Sequence, residues 1–407
     1  MLPTPERKRT MMLLSFALIF LCGLTFAAIL EKLRLPRLLG MLAAGMLLGP
    51  YALNWIDGSV LGISAQVRQI ALVVIMLRAG LSLNINDLKK VGRPALLMCC
   101  VPAVFEILGF VAIGPPLLHI SVLDAAMIGC ILAAVSPAVI IPKMLKIMEV
   151  GYGVKQGIPQ MILAGASVDD VFVIVLFTGF TNLAQTGEFS ALALLQIPIS
   201  IAFGVALGAA VGFALAKFFQ KIAVNDLVKV IVLLCVSFLF TALETFLKDK
   251  PVTFAAMLAV IAMGVALLKV NAPTAKAVQP KFAQLWGFAE VLLFVLVGAM
   301  IDFTYAADYG LVCILAVLGA LVFRMAGVWV CMLKTSLNNK ERLFCMIAYI
   351  PKATVQAAIG GIPLAMGLPC GMLAVTAAVL AIIATAPAGA FGIELTYQKL
   401  LTKDEMP

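Results

Sequence analysis

Charged side chains are scarce in this sequence. Only 12% of the 407 residues are charged and 63% are hydrophobic, with a mean hydropathy of +1.13, whereas about 25% of the residues of a soluble domain are charged. This much apolar surface does not fit inside one globular core, so most of it must face lipid. The apolar runs are about 20 residues long, which suits membrane-spanning helices, and they do not alternate as barrel strands do.

Groups for metal or redox chemistry are also few. The chain has one histidine, His119, and its nine cysteines show no paired spacing apart from Cys99-Cys100. This pattern predicts no disulfide framework, metal site or cofactor, and any response to pH must depend mainly on carboxylates or lysines. The net charge of +9 comes from basic residues spread in twos and threes between apolar runs, so we expect no nucleic-acid partner.

The hydropathy pattern predicts an all-α polytopic membrane protein, built as a single transmembrane unit over residues 1–407. No cleavable signal is evident, because the first apolar run is long enough to span and no small-residue cleavage site follows it. We predict about thirteen transmembrane helices, with approximate cores at 11–30, 38–56, 66–83, 94–114, 122–145, 158–181, 191–216, 227–246, 252–269, 282–303, 308–333, 343–366 and 371–394.

The distribution of Lys and Arg predicts the orientation. If the loop after the third helix is cytoplasmic, twenty basic residues lie on the cytoplasmic side and six on the other. Because positive charge accumulates inside, we expect the N-terminus outside and the C-terminus in the cytoplasm. The cluster Arg7-Lys8-Arg9 conflicts with this orientation, and an N-terminus inside would require an even number of helices.

Charged residues inside the predicted helices are few. Each is a candidate functional residue, because a charge near the bilayer centre costs roughly 2.5–3.5 kcal/mol. The strongest signal is the adjacent pair Asp169-Asp170 in the middle of IPQMILAGASVDDVFVIVLFTGF. The others are Glu106 in the fourth helix, Glu290 in the tenth, Arg324 in the eleventh and Lys352 in the twelfth.

The aspartate pair indicates ion exchange. Consecutive residues of a helix point about 100° apart, so one carboxylate can face a cavity while the other contacts a neighbouring helix. Two carboxylates this close oppose each other's ionisation, and burial opposes it further. Such a group can exchange a proton for a cation, and a hard monovalent cation prefers carboxylate, hydroxyl and carbonyl oxygens.

Two predicted helices contain breaks. The fifth contains AAVSPAVIIP, with Pro137 and Pro142, and the twelfth contains Pro351 and Gly360-Gly361. Irregular backbone at membrane depth is tolerated only beside protein or a cavity. The two breaks occupy the second helices of two three-helix groups of opposite orientation. This arrangement predicts inverted repeats whose broken helices cross near the membrane midplane, at a binding site.

Five stretches resemble one known family over nearly the whole chain. They are LRLPRLLGMLAAGMLLGP, LRAGLSLNINDLKKVGRPALL, AAVSPAVIIPKML, GIPQMILAGASVDDVFVIVLF and YIPKATVQAAIGG. The chain resembles the two-aspartate sodium/proton antiporters of the cation:proton antiporter superfamily. The last stretch is the most specific, and it resembles the sodium/hydrogen exchanger B branch and its bacterial relatives.

The resemblance implies an ion site. Asp170 matches the aspartate that carries the cation and the proton, Asp169 matches its neighbour, and Ser136 matches a hydroxyl ligand at the first break. We therefore expect Na+ at Asp170, Asp169 and Ser136. Lys352 and Thr354 match the second broken helix.

The resemblance also implies an ion pair between Glu106 and Arg324. With Arg324 occupied in this way, we expect Lys352 to be the basic residue most free to balance the aspartate pair. The sequence departs from the family at Glu290, where related stretches usually have a neutral residue. That carboxylate either adds a titratable group or lies at a wet face.

The family's architecture implies a division of the helices. Core helices would cover about 94–181 and 308–394, scaffold and dimerisation helices about 11–83 and 227–303, and a linker helix about 191–216. We expect a homodimer in a lipid bilayer. The short tails favour a bacterial protein of the inner (cell) membrane.

The expected activity is exchange of Na+ (or Li+) for H+ by alternating access, in a secondary transporter and not an enzyme. The ionised site would carry one net negative charge, so a single Na+ or proton neutralises it and exchange would be electroneutral. A K+/H+ antiporter and a proton- or sodium-coupled carrier of a small organic anion are alternatives. A channel would instead show continuous conductance.

Overall fold

The computed structural model describes residues 5–33, 35–82, 92–186, 191–222, 224–247 and 254–404. Within these residues the chain is almost entirely α-helical, and strand pairing is limited to one isolated bridge between Tyr152 and Lys403. Five basic residues that contribute to the predicted orientation lie outside the described residues. These are Arg34, Lys89, Lys90, Lys248 and Lys250.

The helices follow one another with short connections. In chain order they are α1 (Pro5–Lys32), α2 (Arg37–Leu48), α3 (Gly58–Gly62), α4 (Ser64–Ser82), α5 (Arg93–Met98), α6 (Val101–Leu118), α7 (Val122–Ala133), α8 (Pro137–Glu149), α9 (Ile158–Thr186), α10 (Ala191–Lys221), α11 (Asp226–Leu247), α12 (Ala256–Val270), α13 (Ala272–Gly298), α14 (Phe303–Cys331), α15 (Asn339–Ala348), α16 (Thr354–Ile359), α17 (Ile362–Ala365) and α18 (Gly371–Leu400).

The length and composition of these helices confirm the prediction of a polytopic helical membrane protein. Among the described residues, eight helical segments are long and apolar enough to cross a membrane. Five shorter apolar helices, including α2, α7, α12 and part of α9, occupy the remaining predicted positions. About thirteen spans are therefore consistent with the structure.

Some predicted boundaries were wrong. The second span was placed at 38–56, but α2 ends at Leu48 and turns follow it. The tenth, placed at 282–303, runs from Ala272 to Gly298 and contains Pro280. The fourth, placed at 94–114, is interrupted between α5 and α6, because Pro102 has no N–H to continue the helical hydrogen bonding.

Both predicted helix breaks are present. The first lies between α7 and α8, immediately before Pro137, while Pro142 lies within α8. The second lies between α15 and α16, and a further interruption at Gly360-Gly361 separates α16 from α17. The two breaks meet where the backbone N–H of Ser136 donates to the carbonyl of Pro351 at 2.8 Å.

Polar caps start the helices that position these breaks. At α7 the Ser121 side chain accepts the N–H of Asp124, and at α14 Asp302 accepts two backbone N–H groups. At α15 Asn338 and Glu341 form a reciprocal capping box. Such caps satisfy N–H groups that the first turn of a helix leaves free.

The described residues separate into two compact units. The first consists of the described parts of Met1–Arg68, Val91–Val173 and Val291–Pro407, and the second of those of Gln69–Lys90 and Ile174–Glu290. The helices predicted as scaffold are divided between the two units. The functional division into core, linker and scaffold stays a prediction.

Small residues allow close helix packing in the second unit. Gly204, Gly208 and Gly212 lie on one face of α10, and a Cβ on any of them would overlap backbone of the α12 region at Ala255, Ala259 or Met263. Close backbone approach of this kind is how membrane helices associate without a hydrophobic driving force. The α10 and α12 helices therefore form one tightly packed pair.

The first unit contains the aspartates and both breaks. Within it, α14 packs along α6, and α18 contacts α14, α15 and the broken helices. The close contact of α6 with α14 includes Gly109 against the ring of Phe323. These contacts place Glu106 on α6 and Arg324 on α14 next to the crossing of the breaks.

Candidate functional site

The long helix α9 carries the aspartate pair into the interior of the first unit. Asp169 is fully buried, and its Oδ2 accepts the backbone N–H of Val135 at 2.9 Å and Nη2 of Arg324 at 2.8 Å. Asp170 is also buried, and its Oδ1 accepts no hydrogen bond from the described residues. Asp169 is therefore held through Oδ2 by the first break and by α14, whereas Asp170 has no such ion pair; each carboxylate has a buried Oδ1 without a hydrogen-bond partner among the described residues.

Arg324 links four elements of the site. Its Nη1 lies 3.0 Å from Oε2 of Glu106 and also donates to the carbonyl of Ala133, while its Nε donates to the carbonyl of Tyr349 at 3.0 Å. Its Nη2 binds Asp169, and the guanidinium lies 5.4 Å from the centre of the Tyr349 ring. The expected proximity of Glu106 and Arg324 is present, but Arg324 also holds the first aspartate.

Lys352 lies elsewhere than we expected. Its Nζ is 2.5 Å from Oε1 of Glu106 and 2.5 Å from the carbonyl oxygen of Leu132. The expectation that Lys352 balances the aspartate pair was therefore wrong, because Arg324 makes that contact. Lys352 belongs to the second break, and its long side chain reaches the carboxyl-terminal end of α7 and the glutamate beside it.

The buried charges form one chain of ion pairs. Lys352 pairs with Glu106, Glu106 with Arg324, and Arg324 with Asp169, and all four side chains are fully buried. A buried charge is tolerated when it is paired and hydrogen-bonded. Asp170 follows at the end of this chain, without an ion pair among the described residues.

The carboxyl-terminal end of α7 is capped by side chains. The last carbonyls of a helix have no partner within the helix. Here they accept from Gln356, Lys352 and Arg324. We did not predict Gln356, although a polar residue one turn after Lys352 in an apolar run is a signal that could have indicated it.

Buried oxygens without a hydrogen-bond partner are present in both breaks and in α9. Among the described residues they include Ser136 Oγ, Asp169 Oδ1, Asp170 Oδ1, Thr354 Oγ1 and Gln356 Oε1. These carboxylate, hydroxyl and amide oxygens are the donor types that a hard cation takes. The residues predicted for the ion site thus include acceptor atoms that suit a cation.

Glu290 is the remaining charged residue predicted inside the helices. It is buried in α13 and belongs to the second unit, whereas the aspartates, Glu106, Arg324 and Lys352 belong to the first. Whether it titrates stays a prediction.

Among the described residues, no group of three or more His, Cys, Asp or Glu side chains is arranged to hold a metal ion.

Comparison with known proteins gives consistent matches. The family described as "Sodium/hydrogen exchanger, transmembrane" matches residues 16–396. Sodium/hydrogen exchanger 9B2 of Bison bison bison is 32% identical over 393 residues, 91% of this chain and 71% of that protein. The Xenopus tropicalis protein of the same name is 31% identical over 352 residues, 84% of this chain and 65% of that protein. This chain therefore spans slightly less than two thirds of the Xenopus relative.

A solved structure has the same fold. The sodium proton antiporter MjNhaP1 from Methanocaldococcus jannaschii at pH 8 aligns with a TM-score of 0.84 and 20% identity, over 97% of this chain and 99% of that chain. The resemblance inferred from the five sequence stretches is confirmed. Because the family match covers most of its length, the chain belongs to the sodium/hydrogen exchanger family.

Proposed function

We propose that this chain is a secondary active antiporter that exchanges Na+ for H+ by alternating access. The observation that carries the proposal is the buried aspartate pair beside two crossing helix breaks. Asp169 is held by Arg324 and by the Val135 N–H, while Asp170 keeps a buried oxygen without a partner. Membership of the sodium/hydrogen exchanger family supports the same activity.

Competition for one carboxylate explains obligatory exchange. Na+ and the proton both neutralise Asp170, so each displaces the other. A site with an uncompensated charge crosses the apolar barrier poorly, whereas an occupied site is neutral and can move. Ser136 supplies a hydroxyl oxygen to the cation, and Arg324 holds Asp169 in place beside it.

The charge balance favours one-for-one exchange. When ionised, Glu106, Asp169 and Asp170 exceed Arg324 and Lys352 by one negative charge, and Glu106 pairs with both cationic groups. One Na+ or one proton then restores neutrality. In proteoliposomes, sodium-driven proton flux should be unchanged by a potassium–valinomycin potential; a flux that follows the imposed potential would refute electroneutrality.

The ion pairs argue against transport of an organic anion. A carrier for such a substrate needs a cationic side chain that is free to bind it. The two cationic groups beside the aspartates, Arg324 and Lys352, are engaged by carboxylates and by carbonyls of α7. Exchange of inorganic cations is the better match.

The finer assignments are part of the same proposal. Eight long apolar helices among the described residues support an integral membrane location. The excess of Lys and Arg on one side supports an N-terminus outside and a C-terminus in the cytoplasm. We propose a homodimer in the cell membrane on the strength of the family resemblance. The two relatives described above are vertebrate proteins, so a bacterial source stays a prediction.

Asp170→Asn tests the assigned site. The substitution removes the titrating group with little change in volume, so exchange should be lost while the protein still folds. Asp302→Asn is the matched control, because it makes the same change at a helix cap where Asn also caps well. Proton flux is measured in proteoliposomes after addition of NaCl. Cation-dependent flux that survives in Asp170→Asn would exclude Asp170 as the exchange site.

A further inference from the structure

Gln356 holds the end of the first broken helix. It lies in the short helix α16 and is fully buried. Its Nε2 lies 3.1 Å, 3.3 Å and 2.8 Å from the carbonyl oxygens of Ile131, Leu132 and Ala134. One amide of the second broken helix therefore caps the carboxyl-terminal end of α7.

This contact fixes the orientation of the amide. If the amide were reversed, its oxygen would face three carbonyl oxygens and would have no donor there. The NH₂ group must face α7, and Oε1 must point away from it. In this position Oε1 is buried and accepts no hydrogen bond from any described residue. A buried amide oxygen held in this way is an acceptor prepared for a ligand.

The same crossing contains other acceptors. Ala134, which binds Gln356, is followed by Val135, whose N–H binds Asp169, and then by Ser136. The Ser136 hydroxyl oxygen is also buried and without a hydrogen-bond partner in the described part of the chain. Gln356 and Asp169 are thus anchored on neighbouring residues of one break. Buried acceptors without a partner on residues of both breaks suit a cation that has lost part of its water shell.

We propose that Oε1 of Gln356 is a ligand of the transported cation and that it sets the preference for cation size. The proposal rests on the proposed exchange activity. A neutral oxygen adds a ligand without changing the net charge of the site, so it affects selectivity and not stoichiometry. A site with fewer oxygens favours a smaller cation, because selectivity depends on ligand number and cavity size.

Gln356→Met tests this assignment. Methionine has a similar length but has no N–H donor and no hard oxygen. The apparent KM for Na+ should rise about tenfold, as for loss of one favourable contact to a charge. The KM for Li+ should rise less, so that the ratio of the KM for Li+ to the KM for Na+ falls and the preference shifts toward Li+. Since the proton step does not use this oxygen, kcat should stay within about twofold.

Thr385→Val is the matched structural control. The Thr385 hydroxyl accepts the backbone N–H of Lys352 at 3.0 Å, so valine removes a hydrogen bond at the same break without removing the proposed ligand. It should lower the Tm in detergent and leave the Li+ to Na+ ratio unchanged. If Gln356→Met lowers the Tm with the ratio also unchanged, Gln356 only caps α7 and the proposal is overturned.

Two further measurements keep the outcomes distinct. If Gln356→Met does not fold, Gln356→Asn keeps the amide but withdraws it by one methylene, and the same shift toward Li+ is expected. In the unaltered protein, NaCl should raise the Tm relative to choline chloride, and Gln356→Asn should reduce this difference. If Gln356→Asn has the same NaCl-dependent rise in Tm and the same ratio of KM values for Li+ and Na+ as the unaltered protein, the proposal is overturned. If the unaltered protein shows no cation-driven proton flux, the proposed function itself is overturned.

Discussion

The two broken helices meet at one place but contribute different chemistry. The α7/α8 break contributes main-chain groups: the carbonyls of Leu132 and Ala133 accept from cationic side chains, and the N–H of Val135 donates to a carboxylate. The α15/α16 break also contributes main-chain groups, the carbonyls of Tyr349 and Pro351, but it adds two long side chains, because Lys352 and Gln356 reach across to α7. The two breaks thus differ in that the second adds long polar side chains that bind the first.

This difference affects how substitutions should act. A substitution at the first break leaves its main-chain groups in place, so the ion pairs around it can persist. A substitution of a cationic side chain removes the partner of carbonyls and carboxylates that stay buried, and an unpaired buried charge is strongly destabilising. Stability should therefore depend on the side chains that bind the first break more than on the side chains within it.

Arg324→Met should have the largest effect. The change leaves Glu106 with Lys352 alone, leaves Asp169 without its ion pair and removes a donor to Ala133. We expect a loss of about 3–5 kcal/mol in the free energy of unfolding, measured by denaturation in detergent.

Lys399→Met controls for the loss of a positive charge, because Lys399 is exposed in the last turn of α18. It should change stability by no more than about 0.5 kcal/mol. If the two variants unfold alike, the network around Arg324 does not stabilise the protein and the comparison of the breaks fails.

A double-mutant cycle should show which cationic group depends on Glu106. Lys352 has Glu106 as its ion-pair partner, whereas Arg324 also binds Asp169. Glu106→Gln should therefore couple to Lys352→Met by up to about 3 kcal/mol in unfolding free energy. Its coupling to Arg324→Met should be smaller, because Arg324 keeps a second carboxylate. The reverse ranking would assign the glutamate to Arg324.

Gly165→Ala tests the contact between α9 and the start of the second break. A Cβ at Gly165 would overlap the hydroxyl of Tyr349, whose carbonyl accepts from Arg324. Overpacking here should cost about 1–2 kcal/mol. Tyr349→Phe removes that hydroxyl and should recover part of the loss in the double variant, because the new Cβ would still lie 2.8 Å from Cβ of Met98.

Gly310→Ala provides the control for this change. A Cβ at Gly310 would meet only Leu380, at an ordinary 3.7 Å, so alanine should be neutral or stabilising in that helix. Unfolding curves of the single and double variants measure the recovery. If Tyr349→Phe recovers none of the loss, the cost of Gly165→Ala arises from the contact with Met98 and not from the Tyr349 hydroxyl.

The sequence predicted the features that depend on residue type and local pattern. A carboxylate pair in an apolar run indicates a functional site, and prolines in AAVSPAVIIP indicate a break. The sequence did not predict which carbonyls the long side chains reach. Lys352 and Leu132 are 220 residues apart, so their contact depends on how the two breaks cross, and no local pattern encodes that crossing.

The boundary errors have a related cause. Hydropathy does not distinguish a membrane span from an apolar turn, and residues 49–56 were therefore assigned to a helix that ends at Leu48. Gln356 escaped prediction for another reason. A lone buried amide in an apolar helix is ordinarily a core residue whose hydrogen bonds are all made. Only its position against three carbonyls at the end of α7 indicates its role.

Ser136→Ala should have the smallest effect on stability, and it separates the contribution of a side chain at the first break from that of the main chain. The Ser136 hydroxyl has no hydrogen-bond partner among the described residues, and its backbone N–H, which binds Pro351, is kept in alanine. The free energy of unfolding should change by no more than about 0.5 kcal/mol. If the hydroxyl binds Na+, the apparent KM should rise in proteoliposomes while the Tm without Na+ stays the same. A large loss of stability with an unchanged KM would show that the first break depends on its side chains as much as the second.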